Sequence, residues 1–144
     1  MATPCPVKEA MEISRTEKLP VQGAEDIVRV RQAVRAWAVE IGFSLVDQTK
    51  IVTAASELAR NTVLYGGGGT AELEALVDGI RRGLRLTFAD QGPGIPDVQA
   101  ALKDGFTTGN GLGLGLGGAR RLSNEFELRS QAGVGTMVRI ARWK

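Results

Sequence analysis

Residues 83–97 read Gly-Leu-Arg-Leu-Thr-Phe-Ala-Asp-Gln-Gly-Pro-Gly-Ile-Pro-Asp. Gly83 to Ala89 reads as a strand of mostly apolar residues. The run delivers the chain to Asp90, after which Gly92, Pro93 and Gly94 impose a tight turn. A carboxylate at a strand end, beside a turn with little side-chain bulk, makes a pocket wall. It can accept a hydrogen bond from an exocyclic amine such as that of adenine; a tight turn with no ligand is the plainer alternative.

Upstream, Ala71 to Val77 forms a second strand-like run, and the short link Asp78 to Arg82 makes the two a hairpin. Before it, Ile51, Ala55, Leu58, Thr62 and Tyr65 recur at helical spacing over Asp47 to Tyr65, and the glycines 66–69 stop the helix. Ala24 to Phe43 carries a similar stripe in Ile27, Val30, Val34, Trp37 and Ile41, with Asp26 favourable to the helix dipole and Gly42 at the C-cap. Residues 11–17 alternate as a strand, closed by Pro20 and Gly23. Downstream of Asp90 the helical pattern surfaces briefly at Val98 to Leu102 and again over Gly118 to Asn124. Phe126 to Ser130 and Val134 to Ala141 then pair around Ala132-Gly133. This order predicts an α+β sandwich, with helices on one face of a mixed or antiparallel sheet. Residues 1–10 are expected to be a flexible N-terminus and 11–144 a single domain.

Composition bounds the function. The 144 residues are 43% hydrophobic and 24% charged, with 18 Lys+Arg against 16 Asp+Glu. That profile is globular and excludes collagen, coiled coil and disorder. The formal charge is +2, and the excess of three basic over acidic side chains in residues 73–144 is too thin for a nucleic-acid footprint, with only a local patch left open. There is no histidine, which removes phosphohistidine chemistry on the chain and every His-containing metal site. Chemistry must rest on carboxylates, amides, backbone or bound ions. Cys5 is the single cysteine, so no internal disulfide forms. The N-terminus lacks a basic segment followed by an apolar one, and no window approaches a membrane span. A cytoplasmic protein without a membrane partner is expected.

Two further motifs carry chemistry. In Ser56-Glu-Leu-Ala-Arg-Asn61 the Glu57 carboxylate and Asn61 amide stand i, i+4, one turn apart on one helix face. Such a pair suits a Mg²⁺ that keeps several waters, with Asn61 as its protein ligand and Glu57 free as a base; a solvated helix face is the plainer alternative. Glycine is concentrated in Gly111-Leu-Gly-Leu-Gly-Leu-Gly-Gly118. A flexible linker would not place leucines there. The run reads either as a loop whose backbone N–H groups approach a polyphosphate at the mouth of a helix, or as a packed loop without a ligand. Gly113-x-Gly115-x-x-Gly118 matches the dinucleotide fingerprint formally, but no strand precedes it and no acidic residue follows at the right distance. Walker and eukaryotic-type kinase motifs are absent.

Taken in order, Glu57-x-x-x-Asn61, Asp90-x-Gly92-x-Gly94, Gly111-x-Gly-Leu-Gly115 and Gly133-x-Gly135-Thr136 resemble the four boxes of the GHKL ATPase superfamily. The resemblance runs from about residue 12 to residue 142. Ser56 to Asn61, Asp90-Gln-Gly-Pro-Gly-Ile-Pro-Asp97 and Asp104-Gly-Phe-Thr-Thr108 look most like the RsbT-type serine/threonine kinases of bacterial stress signalling.

The resemblance implies a Bergerat-type ATP-binding sandwich that uses ATP and Mg²⁺. Glu57 would be the general base toward a substrate hydroxyl, and Asn61 would hold the Mg²⁺. Asp90 would read the adenine amine with help from Thr136, while Gly92 and Gly94 let the base approach. Gly111, Gly113 and Gly115 would cradle the phosphates, and Phe106 to Asn110 would form a lid shorter than in gyrase-like or sporulation anti-sigma kinases. No lysine or arginine lies within Phe106 to Gly118, leaving Lys103, Arg120 and Arg60 as candidate cations for the γ-phosphate. The implied partners are STAS-domain substrates of a stressosome and a PP2C-type phosphatase that the released kinase activates. Two alternatives accompany this reading: an anti-sigma factor kinase that also binds sigma, and a nucleotide-sensing binding module without catalysis.

Overall fold

A computed structural model describes residues 11–95 and 114–144. The described chain runs β1 (Met11–Val21), α1 (Ala24–Ile41), α2 (Leu45–Leu64), β2 (Gly69–Asp78), β3 (Arg81–Asp90), α3 (Leu114–Arg121), β4 (Glu125–Gln131) and β5 (Gly135–Trp143). The strands form one sheet in the order β1-β2-β3-β5-β4. Every ladder in it is antiparallel, which resolves the choice between a mixed and an antiparallel sheet.

Two boundaries differ from the sequence expectation. β1 continues through Pro20 to Val21, because β1 is an edge strand paired only with β2 and an edge tolerates a residue without an N–H. α3 begins at Leu114, inside the glycine-leucine run, rather than at Gly118. Glycine is a poor helix former, so this helix depends on packing: Leu116 and Ala119 are buried in the core.

The helices cover one face of the sheet. α1 buries Val30, Val34, Trp37 and Ala38. It ends at Gly42, whose φ of 99° lets the N–H groups of Gly42 and Phe43 return to Ala38 O. Ser44 caps α2 by accepting the Asp47 N–H at 3.1 Å. α2 has a wide buried stripe, Ile51, Val52, Ala54, Ala55, Leu58, Ala59 and Thr62, since it packs on the sheet with α1 and α3 beside it. Leu73, Leu84, Leu86, Phe88, Val138 and Ile140 meet it from the strands.

Arg142 fastens β5 to the helix layer. Its guanidinium donates to Leu122 O, just beyond α3, and to Asp47 Oδ1 in the first turn of α2, both at 2.8 Å. The hydrogen bond from Arg142 holds the Asp47 carboxyl below its ordinary value of 3.8. Among the described residues no helix is long and apolar enough to cross a membrane. The expected N-terminal tail, the Val98 to Leu102 pattern, the Phe106 to Asn110 lid, Gly111 and Gly113 lie outside the described residues.

Candidate active site

A cleft opens between α2, the end of β3, α3 and β5. α2 contributes Leu58, Asn61, Thr62 and Tyr65; β3 contributes Phe88 and Asp90; the following turn contributes Pro93, Gly94 and Ile95. Leu116 of α3 and Thr136 and Val138 of β5 complete it, with Gly66 at the end of α2. The lining is apolar apart from a few convergent polar groups, the composition of a small-molecule site.

Sheet register brings two of those polar groups together. Asp90 and Thr136 are direct partners across β3 and β5, and both line the cleft. Asp90 Oδ1 accepts the Gly92 N–H at 2.9 Å, which fixes the carboxylate against its own turn. The other oxygen, Oδ2, lies beside Gly66.

The glycines beside Asp90 are close-approach positions. A Cβ on Gly92 would stand 2.8 Å from Gly66 Cα, and one on Gly66 would stand 2.5 Å from Asp90 Oδ2. The end of α2 and the turn after β3 therefore touch backbone to backbone. Gly94, with φ at 80°, lines the cleft with its back against Gln131 and Ala132 of the last hairpin. That hairpin also donates Gly133 N–H to Pro93 O at 2.9 Å.

Asn61 supplies a different signal. Its side-chain Nδ2 is buried and has no hydrogen-bond partner among the described residues, although a buried polar group without a partner is costly. A half-turn of the amide presents Oδ1 at the same place. The group thus fits an oxygen-seeking cation in one orientation and a phosphate oxygen in the other.

Glu57 stands one turn before Asn61 on α2 and does not line the cleft. Its Oε1 is paired with Arg60 at 3.2 Å, and the Arg60 side chain is 53% exposed. An exposed i, i+3 pair is worth under about 1 kcal/mol, so Arg60 releases the carboxylate easily. Of the candidate cations, Arg60 is engaged with Glu57, Arg120 is exposed near the end of α3, and Lys103 lies outside the described residues. Gly115 falls in the first turn of α3.

Sequence reading missed Gly66 and Ser130. The four glycines at 66–69 read as a helix stop, yet only Gly67 and Gly68 have positive φ. The surplus was the signal that Gly66 serves another purpose. Ser130 has no mark in the sequence; its hydroxyl accepts the Ile95 N–H at 2.7 Å and lies 3.0 Å from Thr136 Oγ1.

This helix-over-antiparallel-sheet architecture, with a cleft at the helix end and a strand-end carboxylate, defines a class. The family of histidine kinase-like ATPase domains matches residues 22–142, and the chain belongs to it. Within that class, the serine/threonine-protein kinase RsbT of Bacillus subtilis (strain 168) is 50% identical over 118 residues, 82% of this chain and 89% of that protein. This places the chain among the RsbT-type serine/threonine-protein kinases. The anti-sigma F factor of Thermoanaerobacter sp. (strain X514) is 28% identical over 119 residues, 78% of this chain and 82% of that protein. A solved structure of the RsbU and RsbW domains of a Mycobacterium tuberculosis protein superposes with a TM-score of 0.63 at 21% identity. It covers 91% of this chain and 33% of that one, and supports the fold.

Proposed function

We propose that this chain transfers the γ-phosphoryl group of Mg-ATP to a serine or threonine hydroxyl of a STAS-domain protein in a stressosome. Once released, it binds and activates a PP2C-type phosphatase. The observation that carries the reading is the Asn61 amide, buried without a partner among the described residues in the same cleft that sets Asp90 opposite Thr136. A nucleotide spanning the cleft satisfies both ends at once.

In this reading Asp90 accepts a hydrogen bond from the 6-amino group of adenine while Phe88, Val138 and Leu116 exclude water around the base. Asn61 would hold the Mg²⁺, which would supply positive charge to offset that of the phosphates. Gly111, Gly113 and Gly115 offer backbone to the phosphates ahead of and within the first turn of α3. Glu57, freed from Arg60, takes the proton of the substrate hydroxyl as its oxygen bonds to phosphorus and the bond to ADP breaks. Positioning does most of the work, and no covalent enzyme intermediate is needed.

The test is transfer from γ-labelled Mg-ATP to a STAS-domain protein of the same organism, with wild type beside Glu57→Ala. Transfer by wild type and a loss of about 10²- to 10⁴-fold in the variant is the expected result. Equal transfer by both removes Glu57 from the base role, and ATP binding without transfer favours a nucleotide-sensing module. The similarity to anti-sigma F factors supports a second reading, an anti-sigma factor kinase; co-purification with a sigma factor would favour it.

A further inference from the structure

Glu57 stands at a border on α2. Successive helix residues are turned by about 100°, so Leu58, Asn61, Thr62 and Tyr65, which line the cleft, occupy one side of the helix. From Glu57, Asn61 lies about 40° toward that side and Arg60 about 60° the other way. Arg60 is therefore on the solvent flank of the carboxylate, and its guanidinium donates to Glu57 Oε1 at 3.2 Å. The pairing draws Glu57 away from Asn61, which accounts for its absence from the cleft lining.

We propose that Arg60 is a latch that keeps Glu57 turned from the cleft, and that an acidic side chain of the phosphate-accepting protein, close to the acceptor hydroxyl, takes Arg60 over and frees the carboxylate. This rests on the reading of Glu57 as the base of a protein kinase. Arg60 carries five N–H donors, of which one is engaged among the described residues. A carboxylate from a partner therefore finds a planar fork open to it. The exchange replaces one acid on the guanidinium by another, so its charge stays matched. A partner that covers Arg60 without an acid leaves Glu57 latched or leaves a covered charge unpaired, and is disfavoured either way.

The spacing defines the substrate further. Glu57 and Arg60 are about 4.5 Å apart along the helix axis, and an extended chain advances about 3.3 Å per residue. The acid thus stands one or two residues from the acceptor hydroxyl. Once freed, Glu57 takes the proton of that hydroxyl while its oxygen bonds to the γ-phosphorus and the bond to ADP breaks. With no partner present the latch holds the base from a water molecule, whose attack would waste ATP by the same exchange of bonds.

The experiment follows γ-labelled Mg-ATP on the full chain in wild type, Arg60→Ala, Glu57→Ala and the double variant, first alone and then with a STAS-domain acceptor protein of the same organism. Alone, Arg60→Ala is expected to release phosphate to water about two- to fivefold faster than wild type, the worth of an exposed pair. The gain is absent in the Glu57→Ala background, where there is no base to free. With the acceptor, changing the acid beside its phosphorylated residue to the amide is expected to lower transfer by wild type at least about tenfold and to leave transfer by Arg60→Ala unmoved. An unchanged hydrolysis rate in Arg60→Ala, a dependence on the acid that survives Arg60→Ala, or an acceptor hydroxyl with no acid within two residues overturns the proposal. Weaker binding of a non-hydrolysable ATP analogue to Arg60→Ala, with Mg-ADP affinity unchanged, assigns Arg60 to the γ-phosphate and overturns it too. The parent reading fails separately: if Glu57→Ala transfers as well as wild type, Glu57 is not the base and the latch falls with it. If Glu57→Ala abolishes transfer while the Arg60 variants behave as wild type, only the latch is lost.

Discussion

Replacing Gly66 by alanine tests the central geometry of the cleft with a single methyl group. The backbone of Gly66 has no positive φ, so alanine is compatible with it and the variant is expected to fold. The methyl, however, would lie 2.6 Å from Asp90 Cβ and 2.5 Å from Asp90 Oδ2. Ordinary contact begins near 3.4 Å, so the carboxylate must retreat by about 1 Å, a displacement that can cost on the order of 10²-fold at a reacting or binding group. Retreat also strains the Gly92 N–H bond that fixes Asp90. A hydrogen bond to a charged group contributes about 1.5–3 kcal/mol, which corresponds to roughly a 10- to 150-fold loss of nucleotide affinity. Calorimetric titration with Mg-ADP reads this directly, alongside Asp90→Asn and the double variant. Because Gly66→Ala acts through Asp90, the two changes are expected to be strongly non-additive. Wild-type affinity in Gly66→Ala, or losses that simply add, would refute the reasoning.

Other outcomes follow from the packing and the charges. Asp47→Asn removes the carboxylate that Arg142 holds below its ordinary value, and is expected to destabilise the protein by about 1–2 kcal/mol near neutral pH. A lowered carboxyl value means the stabilisation is present above the unfolded value of 3.8 and is lost as pH falls through the folded one. Melting temperatures of wild type and Asp47→Asn should therefore differ at pH 7 and draw together as the pH falls below 3.8 through the lowered value. Leu116→Ala empties a position that is 2% exposed; a loss of about 2–5 kcal/mol is expected in denaturant unfolding, with weaker nucleotide binding because Leu116 also lines the cleft. Arg60→Ala breaks a pair in which Arg60 is 53% and Glu57 34% exposed, so chemical denaturation should register less than about 1 kcal/mol.

Much of the fold is legible in the sequence because its elements carry strong periods. The stripes of α1 and α2 and the hairpin of β2 and β3 stand where spacing puts them. The misses have physical causes. Pro20 ends a strand in isolation but not on an edge, and edge position is a property of the whole sheet. α3 is hidden because glycine suppresses the local helical signal, and only the burial of Leu116 and Ala119 against α2 sustains its first turns.

The site was legible as residue types and not as geometry. Asp90, Asn61 and Thr136 are marked by motif, and the structure brings them to one cleft. Their alignment is decided by register, which pairs Asp90 with Thr136 and Thr136 with Ser130. Ser130 was invisible for that reason, since an isolated serine in a strand carries no pattern. Gly66 was masked by its neighbours, which have an ordinary role at a helix end. Glu57 is marked as strongly as Asn61, yet it stands outside the cleft lining and pairs with Arg60.

The most direct measurement is a crystal structure of the full chain with Mg²⁺ and a non-hydrolysable ATP analogue. The account predicts the adenine amine on Asp90, the base against Phe88 and Val138, and the Asn61 side-chain oxygen on the metal. A nucleotide seated elsewhere, or a metal that Asn61 does not touch, would contradict it.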